Sequence, residues 1–154
     1  LQILKQNKIL IVMTQNQNRP RWVESLENYS KALDSLNKVV ELSQQKTLSE
    51  FERDSLIKRF EFTYEEAVKT LTRYLEYEGH HDLKGSRTAF RRGVKINLLT
   101  DGQDWMDMIE CRNAGAHNYS DVKAEKISEK VLNTFYPMLV DFKKKLSDLM
   151  EDKG

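Results

Sequence analysis

One stretch constrains this chain more than any other. Trp22, Leu26, Tyr29, Leu33, Leu36 and Val40 follow one another at steps of 4, 3, 4, 3 and 4. At 3.6 residues per turn these positions share one stripe of a helix, whereas the period of two in a strand would scatter them over both faces. The polar positions between them carry Lys, Glu, Asp, Ser and Asn. The result is a long amphipathic helix whose apolar face must be covered.

The rest of the chain supplies the cover. Gln44 to Thr47 is a polar break, and Leu48-Ser49-Glu50 leads into a second helix. Its inward face runs through Ile57, Phe60, Tyr64, Ala67, Val68, Leu71, Tyr74 and Leu75, again at short helical steps, and Gly79-His80-His81 ends it. Ser86 is expected to cap a short third helix that reaches about Val94 and is interrupted by Gly93. Thr100-Asp101-Gly102 reads as a turn before a fourth helix begun by Trp105, Met108 and Ile109, with Asn113 to Asn118 as its fraying end. Ser120 opens a long last helix with Ile127, Val131, Phe135, Leu139, Phe142, Leu146 and Leu149 inside. Pro137 should kink that helix or shift its register, because it removes a backbone donor. The fold class is all-α: a single up-and-down bundle of about five helices over residues 20–150. Residues 1–19 read as an N-terminal extension outside the folded unit, with Met13 a natural start and 1–12 lying upstream of it.

Composition narrows the function classes. The chain has 154 residues and 18.1 kDa, a length suited to one domain with a self-sufficient core. Its 25 basic and 24 acidic side chains nearly cancel to +1, which excludes a polybasic nucleic-acid coat or an acidic tail. Six glycines and two prolines are too few for an all-β fold built on tight turns. The lone Cys111 makes neither an internal disulfide nor a cysteine-based zinc site, so the chain reads as cytoplasmic. The longest early apolar run, Ile9 to Met13, is too short for a membrane span or a signal peptide.

The densest polar constellation is Glu110-Cys111-Arg112-Asn113-Ala114-Gly115-Ala116-His117-Asn118-Tyr119. Arg112 and His117 stand five positions apart, about 140° on an ideal helix, so the two meet only if the helix ends between them. Gly115 and Asn118 favour that ending. Arginine offers a permanent planar cation to phosphate oxygens, and histidine titrates near neutrality as a general acid or base. With the 2′-hydroxyl of RNA as nucleophile, such a pair needs no metal and leaves a cyclic phosphate. On spacing alone the plainer alternative stands beside it: Arg112 pairs with Glu110 or another carboxylate, and His117 only ends a helix. Cys111 as a nucleophile beside Arg112 lacks a second histidine within the motif.

Arg112-Asn113-x-x-x-His117-x-Tyr119 resembles the Arg-x4-His-x-Tyr signature of the HEPN superfamily of nucleotide-binding helical domains. Arg59-Phe60-Glu61-Phe62-Thr63-Tyr64-Glu65 resembles the second-helix motif of its nucleotidyltransferase substrate-binding branch. Lys69-Thr70-Leu71, Tyr74-Leu75-Glu76, Arg87, Ala89-Phe90, Gly93 and Trp105-Met106-Asp107-Met108 fit the same branch, in order, over roughly residues 20 to 150. The resemblance implies a five-helix homodimer that works with a separately encoded minimal nucleotidyltransferase. It also implies a toxin–antitoxin pair in which the bundle is a metal-independent ribonuclease using Arg112 and His117. The partner, with ATP and magnesium, would silence it by transferring AMP to Tyr119; the bundle itself needs no cofactor. An older view of the branch makes the bundle the substrate-binding half of a split nucleotidyltransferase. Glu110 and Asn113 support the motif. Cys111, where an acidic residue often stands, and Ala116, where a small hydroxyl residue often stands, depart from it.

Three further features carry expectations. Lys84, Arg87, Arg91, Arg92 and Lys95 give five basic residues and no acid between positions 84 and 95. Arg87, Arg91 and Lys95 would line one helical face, suited either to RNA or nucleotide phosphates or to an acidic partner. Arg59, Glu61, Tyr64 and Glu65 place polar groups in a core-facing helix, which points to an interface or a polar network. His80 and His81 read as an exposed helix terminus and not as a metal site.

Overall fold

The computed structural model describes residues 19–115 and 120–152. Every regular element among them is helical: α1 (Arg21–Gln45), α2 (Glu50–Tyr77), α3 (Ser86–Lys95), α4 (Gly102–Gly115), α5 (Asp121–Lys130) and α6 (Tyr136–Asp152). A π-helical turn, Val131–Phe135, joins α5 to α6 without leaving right-handed helical dihedrals, so these form one rod. The all-α bundle of five rods is the architecture read from the sequence.

α1 and α2 form an antiparallel hairpin and the most extensive helix pair of the fold. Trp22 near the start of α1 meets Tyr74 near the end of α2 edge to face, their ring centroids 5.2 Å apart. Further along the seam, Arg73 Nη1 donates to Ser25 Oγ at 2.5 Å and Arg59 Nη1 to the Ser35 carbonyl at 2.7 Å, while the Thr63 hydroxyl is shared between the Arg59 carbonyl of its own helix at 2.7 Å and the Ala32 carbonyl of α1 at 3.1 Å. The stripe Trp22, Leu26, Tyr29, Leu33, Leu36 and Val40 is buried throughout.

The ends of α2 follow from its sequence. Ser49 and Glu52 close a capping box at the start, each side chain bonded to the other's backbone N–H. At the far end Gly79 takes φ 92, and its N–H and that of His80 bond the carbonyls of Glu76 and Leu75. This Schellman arrangement needs a left-handed residue, which glycine adopts without penalty.

The core is threaded by aromatic rings from every rod. Tyr29 of α1 meets Phe142 of α6, which meets Trp105 of α4. Trp105 meets Phe90 of α3 at 4.8 Å, Phe90 meets Tyr64 of α2, and Phe60 stacks on Phe135 of the π turn at 5.5 Å. Ring pairs in tilted, edge and offset geometry add to the burial that drives such a core.

Two sequence expectations for α3 need correction. Gly93 does not interrupt the helix; it lies inside it and lets the following turn close over it. A Cβ there would stand 2.8 Å from Leu99 Cδ1, so any larger residue would require the Leu99 side chain to shift. Ser86 is not the cap: the N-cap is Gly85 at φ 89, and Ser86 is the first helical residue. Pro137 does shift the register, through the π turn that ends two residues before it. Among the described residues no helix is long and apolar enough to cross a membrane.

Candidate functional site

The middle of α2, the start of α3 and the last turns of α4 converge on one corner of the bundle, where the sequence-predicted Glu61, Tyr64, Glu65, Arg87, Glu110 and Arg112 collect. Arg112, in the final turn of α4, reaches across to α2, where its Nη2 donates to Glu65 Oε1 at 2.7 Å. Glu110, two residues earlier on α4, faces the other way and accepts from Arg87 Nη2 of α3 at 3.0 Å. Arg87 also contacts Met106 Sδ at 3.5 Å. Three helices are thus tied by two ion pairs.

Tyr64 sits between these pairs and is buried against Phe90. Burial raises its hydroxyl above the ordinary range, against the opposing pull of a Ser86 hydrogen bond and of the Arg112 and Arg87 charges. Glu61, one turn before Glu65, is half-buried; burial raises its carboxyl, while Lys58 and Arg112 pull it down and Glu65 pushes it up. Arg112 is therefore flanked by two carboxylates of one α2 edge. Of the two fates open to it in the sequence, carboxylate pairing is realised, with Glu65 and not with Glu110. Asn113 is exposed at the end of α4.

Other predicted residues fall elsewhere. Arg59 is spent inside the α1–α2 seam on the Ser35 carbonyl, so it belongs to a polar network within the chain. Along α3, Arg91 and Lys95 are exposed on the face of Arg87, while Phe90 is buried and Val94 half-buried on the other. Lys84 is exposed just before the helix. Arg92 leaves that face: it is half-buried, with Nη1 3.2 Å from His80 Nδ1. His80 is thereby half-buried against an arginine, while His81 is exposed as expected. No group of three or more His, Cys, Asp or Glu among the described residues could hold a metal ion. Burial pushes the Cys111 thiol up, the wrong direction for a nucleophile, although Lys130 of α5 opposes it. His117 and Tyr119 lie outside the described residues, which stop at Gly115 on one side and resume at Ser120 on the other.

Two contributors escaped sequence reasoning. Ser86 serves Tyr64 instead of capping a helix, and Met106 packs under the Arg87 guanidinium. Both stand in segments already singled out for family likeness or capping, but their partners are far away in the chain.

No curated protein matches the sequence. Among solved structures, the crystal structure of a protein from Thermus thermophilus superposes with a TM-score of 0.69 at 28% identity, covering 77% of this chain and 98% of that one. Residues 24–148 match the family described as nucleotidyltransferase substrate binding protein like, a span that enters every rod of the bundle and includes the whole polar corner. The chain accordingly belongs to the nucleotidyltransferase substrate-binding-protein-like family.

Proposed function

We propose that this chain is the substrate-binding subunit of a two-component system, docked on a separately encoded minimal nucleotidyltransferase and acting as the toxin of a toxin–antitoxin pair. The family match over residues 24–148 carries the reading. The polar corner supports it, because Arg91 and Lys95 stand exposed beside it on α3 with no ion-pair partner among the described residues. ATP and magnesium enter with the nucleotidyltransferase. Co-expression with the nucleotidyltransferase encoded beside this gene should give a complex that survives purification. Arg91→Glu with Lys95→Glu should weaken it if α3 faces the partner. A native chain that never co-purifies with that protein overturns the reading.

A second reading makes the same subunit a homodimeric, metal-independent ribonuclease. It is favoured by the position of Arg112, which a surface ion pair holds at the end of α4, immediately ahead of His117 and Tyr119. His117 would take the proton of the 2′-hydroxyl as that oxygen attacks phosphorus. Arg112 would stabilise the charge that accumulates on the phosphate, and the 5′-oxygen would leave with a proton. Arg112→Ala and His117→Ala should each abolish RNA cleavage while leaving the fold and the dimer intact; undiminished cleavage by both overturns the mechanism. Silencing would follow from attack of the Tyr119 hydroxyl on the α-phosphate of ATP, releasing pyrophosphate. AMP mass should then appear on the native chain and not on Tyr119→Phe.

A further inference from the structure

Arg112 already has an anionic partner. The carboxylate of Glu65 meets its guanidinium at 2.7 Å, from 47 positions earlier in the chain. Carboxylate and phosphate present the same feature to a guanidinium, a pair of anionic oxygens that accept from its N–H fork. Glu61 stands one turn away, close enough for the Arg112 charge to act on its carboxyl. The pair contributes little to folding: the Glu65 side chain is 53% exposed, and exposed ion pairs are weak. Arg112 is occupied without much return in stability.

We propose that Glu65 is a built-in competitor for a ribonucleotide phosphate at Arg112, which binds by displacing the carboxylate from the guanidinium. This rests on the reading of Arg112 as a phosphate-binding group. Exchange is feasible here because Glu65 lies at the surface, where the displaced carboxylate returns to water; a buried one would be left uncompensated. The ligand's apparent affinity is then lowered by the fraction of molecules in which Arg112 is taken. Glu65 is a positioning residue that sets how readily the site accepts phosphate.

The test is a mutant cycle on the full chain, with two probes: AMP, followed by calorimetry, and a short fluorescein-labelled single-stranded RNA, followed by anisotropy. Glu65→Gln should tighten binding by about two- to fivefold, the range an exposed ion pair supports. Glu65→Asp, which keeps the charge, should retain most of the native weakness. Glu76→Gln, which removes an exposed charge elsewhere on α2, should change nothing. In an Arg112→Ala background the gain from Glu65→Gln should disappear. A gain in either arm supports exchange, and the arm that shows it tells whether the phosphate comes from a strand or a free nucleotide. If Arg112→Ala weakens binding but Glu65→Gln leaves it unchanged, the competitor role is overturned while Arg112 keeps its assignment. If Arg112→Ala leaves binding of both probes unchanged, the reading of Arg112 itself falls.

Discussion

The two sides of α2 treat polar groups differently. Toward α1, Arg59 and Thr63 donate to backbone carbonyls. Those acceptors are fixed by the helix itself, so no ligand or partner can replace them. Toward α4, Glu65 meets a side chain at the surface, and Glu61 lies half-buried beside it. One side locks the hairpin; the other holds charges in arrangements that a competing ion can undo. A helix can therefore serve as scaffold and as binding surface when the two roles are separated around its circumference.

Substitutions on the two sides should differ in kind, and the largest effect belongs to the locked core. Phe60→Ala removes a fully buried ring stacked on Phe135 and should cost about 3–5 kcal/mol in chemical denaturation. Thr63→Val keeps the shape but loses the buried hydroxyl shared between the Arg59 and Ala32 carbonyls, for about 1 kcal/mol. On the open side, Arg87→Ala should cost no more than about 1 kcal/mol, because its ion pair with Glu110 is exposed. A loss from Arg87→Ala that matches Phe60→Ala would erase the distinction.

The smallest effect reports on pH. Burial raises the folded-state value of Glu61 above the ordinary carboxylate range, so the native state holds that proton longer than the unfolded chain does. Stability contributed by this group therefore falls as pH rises from the ordinary carboxylate value through the raised one. Glu61→Gln should be slightly more stable than the native chain at pH 7, and the gain should vanish below the ordinary range. A gain that persists in acid would assign the effect to packing.

Much of this fold was legible in the chain because its signals are local. The α1 stripe, the Ser49 capping box, the Gly79 terminus and the Ser120 cap each depend on residues within one or two turns. Apolar spacing and turn signals placed Arg87, Glu110 and Arg112 in the right helices. Their pairing was not legible: Glu65 and Arg112 are neighbours only because α4 packs on α2, and nothing in the spacing prefers Glu65 to Glu110. Gly93 misled for a related reason. Local propensity makes glycine a helix breaker, whereas here it leaves room for the close approach of the Leu99 side chain.

The π turn couples two edits that would otherwise seem independent. Ile127, Val131, Phe135 and Leu139 all face inward at steps of four, each overshooting a full α-helical turn by about 40°. The wider turn absorbs that surplus residue just ahead of Pro137. Deleting one residue between 131 and 135 would restore ordinary winding but bring the proline ring against the carbonyl four positions back. Replacing the proline alone would leave the surplus residue still to be housed. A lineage that straightens this helix must therefore change both together, so in related chains the insertion and the proline should be gained or lost as a unit.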